Sequence, residues 1–531
     1  MIYYFFVFLI LRCLSSIETY SSNVWQCRGA YINIAIGNHT NLLNKKFDVL
    51  YQYKVCRECQ LDLLTSLDTI YFNNSETELS LESNYDYSFQ VVDKDTKEIV
   101  CPIFEYDHFD ECGLWRLDIF DISVCKFSLI KEPKDTYMFF YIILVVLILI
   151  IIVINVFEKN ASKFFKPKIH TLENLATGDV SLVAVHTKTE EQPSAKTNEV
   201  KRKKKRVISL DTFRGFALIS MILVIYGWDG YPFIHHLPWS GLNLGTLVFP
   251  WFLYIMGFAI PIAVNNELKK ENSSKIKLLF KILLRSIKMF GIGLILNTSW
   301  QMEISKLRIF GVLQRISFCY FFMAVLEVIC YKKIEPANSR NKFSYYLSDF
   351  ISSWKQTFVV WLLNIAWFLI TFLLEVPGCP KGYFGPGGKE YDSKYFNCTG
   401  GAAGYIDNLI VGTNHLYKES TPMKIYKNGN FDPEGILGTL TSIFLAHLGC
   451  QSGRVMLFHK SPKRQIIVWS AWIIIYLSLF FGLTQGDIID GLIPVNKNIW
   501  TFTFSLISGV TGLGIFIIFY LLTDVYGLWT G

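Results

Sequence analysis

The chain has 531 residues and a formal net charge of +7; hydrophobic types fill 51% of its positions and charged types only 18%. Soluble proteins carry nearer a quarter of charged residues, and here the apolar excess falls in runs of about 20 residues, the length at which a helix crosses a bilayer. Composition therefore excludes an ordinary soluble protein. Because most of the basic excess lies in loops between the runs, it indicates membrane topology rather than nucleic-acid binding.

The first predicted element, residues 1–16, has a short apolar core followed by a polar stretch. This pattern predicts a cleaved signal peptide, with an uncleaved signal anchor as the alternative because the n-region lacks Lys and Arg. Residues 17–135 alternate polar and apolar positions over short stretches, which predicts a small β-rich luminal domain. Glycosylation sequons in the same predicted compartment lie at Asn38, Asn73 and Asn397.

The cysteines outside the apolar runs predict disulfide bonds, because thiols in an oxidising compartment pair. The candidates are Cys27, Cys56, Cys59, Cys101, Cys112, Cys125, Cys379 and Cys398. Cys56 and Cys59 form a C-x-x-C motif, for which we favour a structural role over a redox-active one. We expect at least one of Cys379 and Cys398 to bond to the N-terminal domain and hold it over the bundle. The cysteines expected to be free thiols are Cys319, Cys330 and Cys450.

The first predicted span, Tyr137–Phe157, contains no charged residue, and the linker at 158–206 ends in KRKKKR, which beside a span indicates a cytosolic anchor. Further predicted spans are 208–226, 243–264, 281–297, 310–330, 356–375, 434–452, 466–484 and 500–523. Alternation from a luminal N-terminus puts the Lys- and Arg-rich loops in the cytosol. The predicted fold is thus a polytopic α-helical membrane protein of about nine spans, with a transmembrane bundle at 207–531 and a disulfide-bonded, β-rich luminal domain.

Ionisable groups inside spans are the first candidates for chemistry, because burying charge in lipid is costly. Asp211 and Arg214 are three residues apart and share a helix face. They form either an internal ion pair or a polar wall where a cytosolic anionic ligand enters. Arg285 and Lys288 are predicted at the same depth, where they either bind phosphates or act as snorkelling anchors.

The loop YGWDGYPFIHHLPWSGLN carries His235 and His236 close to Trp239. Histidine is the usual general base near neutral pH or a transient acyl carrier, and a structural or solvated pair is the alternative. No metal-binding spacing such as H-E-x-x-H is present in the sequence, so we predict no metal site.

Several stretches together resemble one family. They are SLDTFRGFALISMILVIYG, HHLPWSGL with LVFPWFLYIMG, RIFGVLQRIS, CPKGYFGPGG with NCTGGAAGYID, DPEGILGTL, and GLIPVNKNIW with DVYGLWTG. From about Arg206 to Gly531 they are similar, in the family's order, to the heparan-α-glucosaminide N-acetyltransferases, lysosomal membrane enzymes of heparan sulfate breakdown. The resemblance implies acetyl transfer from cytosolic acetyl-CoA to the non-reducing terminal glucosamine of heparan sulfate in the lumen. It also implies a homodimer and a family total of about eleven spans.

The resemblance assigns a role to one histidine. The family's H-x-x-W-x-G-L pattern falls on His236 and not on His235, so His236 is the expected catalytic base in a direct transfer, with an acetyl-imidazole intermediate as the alternative. The expected supporting residues are Asp211, Arg214, Tyr226 and Trp239. The expected acetyl-CoA contacts are Arg214, Arg285 and Lys288.

Two departures from the family pattern bear on activity. Ile225 stands where the family has an Asn that can hydrogen-bond a thioester carbonyl. The family continues past the G-L-W-T-G motif with two further spans, so we expect little transferase activity from a chain that ends at Gly531. The competing functions are a transporter or glycan-binding membrane protein, and an acyltransferase on another amino sugar. Charges at span ends rather than near mid-bilayer favour the enzyme.

Overall fold

A computed structural model describes residues 30–36, 46–68, 77–81, 85–106, 109, 113–121, 124–132, 207–225, 234, 237–270, 274–297, 307–332, 348–418 and 420–528. The predictions outside the described residues are the signal peptide, the first span, the basic linker, Cys27, Cys112, Asn38, Asn73, Tyr226, His235 and His236.

The N-terminal domain is β-rich, as predicted. Its strands are β1 Ala30–Ile36, β2 Lys46–Tyr53, β3 Asp62–Asp68, β4 Thr77–Leu81, β5 Tyr87–Asp93, β6 Ile99–Tyr106, β7 Leu114–Asp121 and β8 Val124–Lys131. They form two sheets with the orders β4-β1-β7-β8 and β3-β2-β5-β6. The pairing of β1 with β7 is parallel, and the other pairings between described strands are antiparallel.

Aromatic side chains fill the space between the two sheets. Phe89 of β5 and Phe127 of β8 stack across the interface with ring centroids 6.4 Å apart, and Phe109 packs on Trp115 at 4.8 Å. The Cys101–Cys125 disulfide joins β6 to β8, one strand from each sheet. Small domains have limited apolar area to bury, so a bond between the sheets supplements the core.

The described C-terminal part is helical. The helices are α1 Ile208–Ile225, α2 Leu244–Leu268, α3 Lys275–Asn297, α4 Val312–Ile329, α5 Ser348–Leu373, α6 Ala402–Val411, α7 Thr421–Tyr426, α8 Ile436–Phe458, α9 Pro462–Thr484 and α10 Phe502–Tyr520. The eight long helices coincide with the eight spans predicted after the first. Residues 374–435, which connect α5 to α8 and contain α6 and α7, are called the long loop below.

Helix α8 lies at the centre of the bundle and packs against α2, α4, α5, α9 and α10. Its approach to α2 depends on glycines. A Cβ on Gly257 of α2 would lie 2.1 Å from the Ala446 carbonyl oxygen, and one on Gly449 of α8 would lie 2.2 Å from that of Tyr254. Small residues at such crossings let backbones come close enough for dispersion contacts, which hold helices together in lipid.

Six of the described helices are long and apolar enough to cross a membrane: α1, α2, α4, α5, α9 and α10 with the turn that follows it. The two other long helices, α3 and α8, have different surroundings. Helix α8 is enclosed by its neighbours and has buried polar side chains such as Thr441, Ser442 and Gln451. Helix α3 packs mainly against α4 and has exposed Lys and Arg side chains along its first half.

The disulfide prediction for the long loop was wrong. Cys379 bonds to Cys398 within the loop, 19 residues away, with a Cα–Cα distance of 5.7 Å. The loop folds back on itself at this point, so both thiols meet locally rather than reaching the N-terminal domain. The predicted free thiols Cys319, Cys330 and Cys450 are free.

Candidate functional site

The loop between α1 and α2, residues 226–243, carries both histidines and is called the histidine loop. Trp239 fixes its second half. The indole Nε1 donates a 2.7 Å hydrogen bond to the carbonyl oxygen of Phe384 in the long loop, and the ring packs on Phe431 with centroids 5.5 Å apart. Trp239 is 5% exposed. A buried, hydrogen-bonded tryptophan therefore anchors residues 237–243 of the loop to the long loop.

The connection between α9 and α10 holds the same loop from the other side. Asn498 Nδ2 donates to the carbonyl oxygen of Trp239 at 3.2 Å, and the Gly241 amide donates to the carbonyl oxygen of Val495 at 2.8 Å. Asn496 forms an isolated β-bridge with Ser240. We call this contact between the histidine loop and the α9–α10 connection the junction. It is formed by backbone pairing as well as by side chains. Two separate loops therefore hold the residues after His236.

Asn496 orders its own loop. Its side-chain Oδ1 accepts from the amide of Asn498 at 2.7 Å and from that of Ile499 at 3.3 Å. An asparagine that accepts from backbone amides two and three residues on stabilises a turn. Asn496 is fully buried, so the turn that presents Asn498 to the histidine loop is rigid and water-excluded.

A charged cluster lies beside this junction, where the long loop leads into α8. Arg308 donates two hydrogen bonds to Asp432, at 2.7 and 2.8 Å, and one to Glu434 at 2.6 Å. Its guanidinium also lies 4.2 Å from the ring centroid of Tyr417. Paired bonds from one guanidinium to one carboxylate fix both groups in direction as well as distance.

The side chain of Asp407, a residue of α6, caps the N-terminus of helix α8. Its Oδ1 accepts from the Ile436 amide at 2.8 Å, which satisfies one of the free amides at a helix start. Burial raises the pKa of Asp407, the hydrogen bond from the Ile436 amide lowers it and the nearby Asp432 carboxylate raises it, with a net pKa of about 7. In an acidic compartment Asp407 therefore carries a proton, and near neutral pH it titrates.

Arg315 of α4 contacts the same region, where the long loop leads into helix α8. Its Nη2 donates to the carbonyl oxygens of Pro433 at 2.9 Å and Gly435 at 3.1 Å, and its guanidinium lies 4.6 Å from the ring centroid of Trp500. Arg315 thereby ties the end of the long loop to the connection between α9 and α10.

The N-terminal domain contacts the long loop through its C-x-x-C turn. Cys56 and Cys59 are bonded to each other, and the turn between them offers two backbone acceptors. The Tyr391 amide donates to the carbonyl oxygen of Arg57 at 3.1 Å, and the Asp392 amide donates to that of Glu58 at 2.9 Å. A disulfide that shapes a docking turn fits the structural role predicted for this motif.

Charged side chains surround this docking contact. Arg57 pairs with Asp490 at 2.7 Å, and Lys389 pairs with Asp62. Glu390 lies buried between them, and burial raises its pKa to about 7, while the positive charge of Arg57 lowers it and the negative charge of Asp490 raises it. The contact is therefore electrostatic at its edge and contains a carboxyl group that titrates near neutral pH.

The predicted donor-side residues lie on other parts of the bundle. Asp211 and Arg214 form an ion pair at 3.1 Å on α1, which packs against α2 and α10. Arg285 lies over the ring of Tyr320 at 5.0 Å, and Lys288 is exposed. Both belong to α3, which packs mainly against α4. The structure thus shows two separate basic positions rather than one assembled phosphate site.

Sequence reasoning gave no role to Asn496, Asn498, Arg308 or Asp407. The sequence partly indicated that such loops contain buried polar residues, because the motifs GLIPVNKNIW and DPEGILGTL combine polar residues with apolar neighbours in short loops. Polar residues in such a setting are buried and hydrogen-bonded. Which backbone groups they bind depends on contacts between loops far apart in the chain, and spacing within one loop does not reveal these. Among the described residues no group of three or more His, Cys, Asp or Glu side chains is placed to hold a metal.

Comparison with known proteins supports the resemblance drawn from the motifs. The sequence model of the family "Heparan-alpha-glucosaminide N-acetyltransferase, catalytic" matches residues 206–338. The chain is 42% identical over 332 residues to the human protein named heparan-alpha-glucosaminide N-acetyltransferase, an alignment that covers 61% of this chain and 50% of the relative. It is 41% identical to the mouse protein of the same name, over the same shares. The chain spans about half the length of the curated relatives it matches.

Proposed function

We propose that this chain contributes the catalytic bundle of a transmembrane acyltransferase, which moves the acetyl group of cytosolic acetyl-CoA to the amino group of terminal glucosamine on heparan sulfate in the lysosomal lumen. The similarity to acetyltransferases along the bundle supports the reaction class. The observation that supports this choice of site is that two other loops hold the histidine loop at Trp239. The N-terminal domain and the long loop then face the lumen, and the protein acts as a homodimer in the lysosomal membrane.

The acceptor needs a base. A glucosamine amine is protonated in an acidic lumen, and only the neutral amine attacks a thioester. We assign the base to His236, because the neutral form of a histidine, whose usual pKa is near 6.5, takes the proton from the amine, so the rate should rise with pH through this range. Attack on the acetyl carbonyl forms the C–N bond, the C–S bond breaks, and the thiolate takes up a proton. An ammonium acceptor thus yields acetamide, CoA thiol and one net proton.

The donor enters from the opposite side in this proposal. Arg214 lies in the second turn of α1, whereas Arg285 and Lys288 lie in the middle of α3, and guanidinium and ammonium groups bind phosphate. Arg214 already pairs with Asp211, so phosphate binding there exchanges one anionic partner for another. The acetyl group must then pass along the bundle towards the histidine loop.

The decisive experiment supplies labelled acetyl-CoA outside vesicles that contain the full-length protein, which is the form used in every transfer assay, and an enclosed glucosamine-terminated acceptor. Acetylated product inside the vesicles supports the proposal, and product formed only from enclosed donor contradicts it. His236→Ala should lower turnover by about 10²–10⁴, whereas the matched control His235→Ala should lower it by less than about tenfold. A reversed order of the two variants would show that the register of the histidine loop is wrong.

A further inference from the structure

Helix α5 has its polar side chains inside the bundle and its apolar side chains outside. The residues on its buried face are Asp349, Ser353, Gln356, Thr357, Val360, Asn364, Trp367 and Thr371. The exposed positions include Phe358, Leu362, Ile365 and Leu369. Polar groups inside a span are costly and mark pathways when they persist. A buried face that is mostly polar along a whole span therefore needs an explanation beyond helix packing.

The polar face runs the full length of the span. From Asp349 to Thr371 the helix rises about 33 Å, which equals the hydrocarbon thickness. Helix α8 supplies polar partners along about a third of this distance, from Asp349 to Thr357. Gln451 Nε2 donates to Asp349 at 2.6 Å, Ser353 Oγ donates to Gln451 at 3.2 Å, and Thr357 Oγ1 lies 3.2 Å from His447 Nε2. We call the buried polar face of α5, together with its α8 partners Gln451 and His447, the seam.

Several buried atoms of the seam have no protein partner within the described part of the chain. They are Asp349 Oδ1, Gln356 Oε1, Asn364 Oδ1, Thr371 Oγ1 and His447 Nδ1. A buried polar atom without a hydrogen bond costs about 1–3 kcal/mol, and lipid offers no replacement. Four of these atoms lie along the buried face of α5 and one lies on His447 of α8, which indicates that water completes their hydrogen bonds in the membrane.

The two ends of the seam meet ionisable groups and the candidate site. At the α8 C-terminal end, Arg454 bonds to Gln451 at 3.4 Å and pairs with Glu327 of α4. At the other end, Thr371 lines a small cavity together with Phe384, whose carbonyl oxygen receives the hydrogen bond of Trp239. The seam therefore connects the far end of the bundle to the wall that holds the histidine loop.

We propose that the seam is a hydrated proton path across the bundle, which carries the proton released by the ammonium acceptor away from the site. The proposal rests on the proposed function for the source of that proton, one per acetyl group transferred. The proton moves along water, Thr357 and His447 to Asp349 without any change of oxidation state. Direct hydrogen bonds between α5 and α8 at successive turns leave no width for the pantetheine arm of acetyl-CoA, and this favours water and protons as the occupants.

Other titratable groups of the described chain surround this path. From the neighbouring helices these are Glu327 of α4, Tyr254 of α2, Cys450 and Arg454 of α8, and Tyr476 of α9, which interacts electrostatically with both Asp349 and Tyr254. Glu327 and Arg454 neutralise each other, so Asp349 and His447 are the groups of the seam left to exchange protons with water.

The test measures where protons appear during turnover of the full chain in vesicles, with a pH-sensitive dye on each side. The unmodified protein should deliver about one proton per acetyl group to the donor side. Thr357→Val and Thr371→Val keep side-chain size and remove a hydroxyl from the seam, so they should cut donor-side protons at least about tenfold while the KM for acetyl-CoA changes by less than about twofold. Ser478→Ala, which removes an exposed hydroxyl bonded only within α9, should change neither quantity.

Protons released on the acceptor side by the unmodified protein would overturn the proposal. A rise in the KM for acetyl-CoA in both seam variants would also overturn it, because the seam would then hold the donor. An experimental structure that shows ordered water gives a readout that needs no activity. Water within hydrogen-bond distance of Asn364 Oδ1 and Thr371 Oγ1 supports the path, and a dry seam refutes it even if no transferase activity is found. Loss of acetyl transfer with a wet seam would instead contradict only the proposed function.

Discussion

Replacing Trp239 with Phe tests whether the histidine loop depends on one hydrogen bond. Phe keeps a ring against Phe431 but lacks the indole N–H that donates to the carbonyl oxygen of Phe384 at 2.7 Å. Trp239 is 5% exposed, so water has little access to replace the lost donor. We expect the loop to remain folded, because Asn498 still binds the carbonyl oxygen of residue 239, but to hold His236 less well.

The size of the effect follows from the buried carbonyl left without a donor. Such a group costs about 1–3 kcal/mol, and if all of this appears as misplacement of the base, kcat/KM falls by about 5- to 160-fold. The KM for acetyl-CoA should stay within about twofold, because the donor is assigned to other helices. The pH at which the rate reaches half its maximum should not move, since the base itself is unchanged.

The assay is acetyl transfer by the protein in vesicles across about pH 5 to 8, a range in which histidine titrates. The control is Trp354→Phe, because Trp354 is 52% exposed on α5 and far from the histidine loop. A kcat/KM within twofold of the unmodified protein for Trp239→Phe would refute the reasoning. So would an equal loss in the control, which would assign the effect to tryptophan content rather than to the bond.

Three further predictions concern the long loop. Cys379→Ser should destabilise the protein by about 3 kcal/mol, since it opens a closed loop of about 20 residues, and peptide mapping without reductant should recover Cys379 joined to Cys398. Arg308→Lys should cost about 1.5–3 kcal/mol in thermal unfolding, because an ammonium cannot reproduce the two bonds to Asp432; unchanged unfolding would contradict the role of the pair. Burial raises the pKa of Asp407 to about 7, so the folded protein keeps a proton that the unfolded chain loses above about pH 4, and stability from this group falls as pH rises from about 4 to 7. Asp407→Asn should flatten part of that decline in unfolding temperatures measured between about pH 5 and 8.

The positions of the spans were predictable from the sequence, because runs of apolar residues report directly on contact with lipid. The boundaries of the helices were less predictable. The fifth long helix was predicted at 356–375 and occupies Ser348–Leu373, since Asp349 and Ser353 read as loop residues although they are buried against α8. Hydropathy averages over all faces of a helix and cannot distinguish a polar residue in a loop from one turned towards a neighbouring helix.

The site was predictable only in part. The H-x-x-W register predicts a role for the histidine loop, which stays a prediction, but it could not reveal the residues that hold Trp239, because Phe384 and Asn498 lie 145 and 259 residues from Trp239 along the chain. The prediction of the partner of Cys379 was wrong for a similar reason. The spacing of the cysteines and their compartment indicate which of them can pair. Which two do pair depends on the path of the backbone between them.

The docking contact of the N-terminal domain also sets an order of events during synthesis. Asp62 and its partner Lys389 are 327 residues apart, and ribosomes add about 5–20 residues per second. The last strand of the domain ends at Lys131, 258 residues before Lys389, so the domain is complete for roughly 13–52 s before its docking site has been made. Throughout that interval the C-x-x-C turn is accessible to oxidoreductases and chaperones, and a substitution that slows folding of residues 388–392 lengthens the exposure without altering the domain itself.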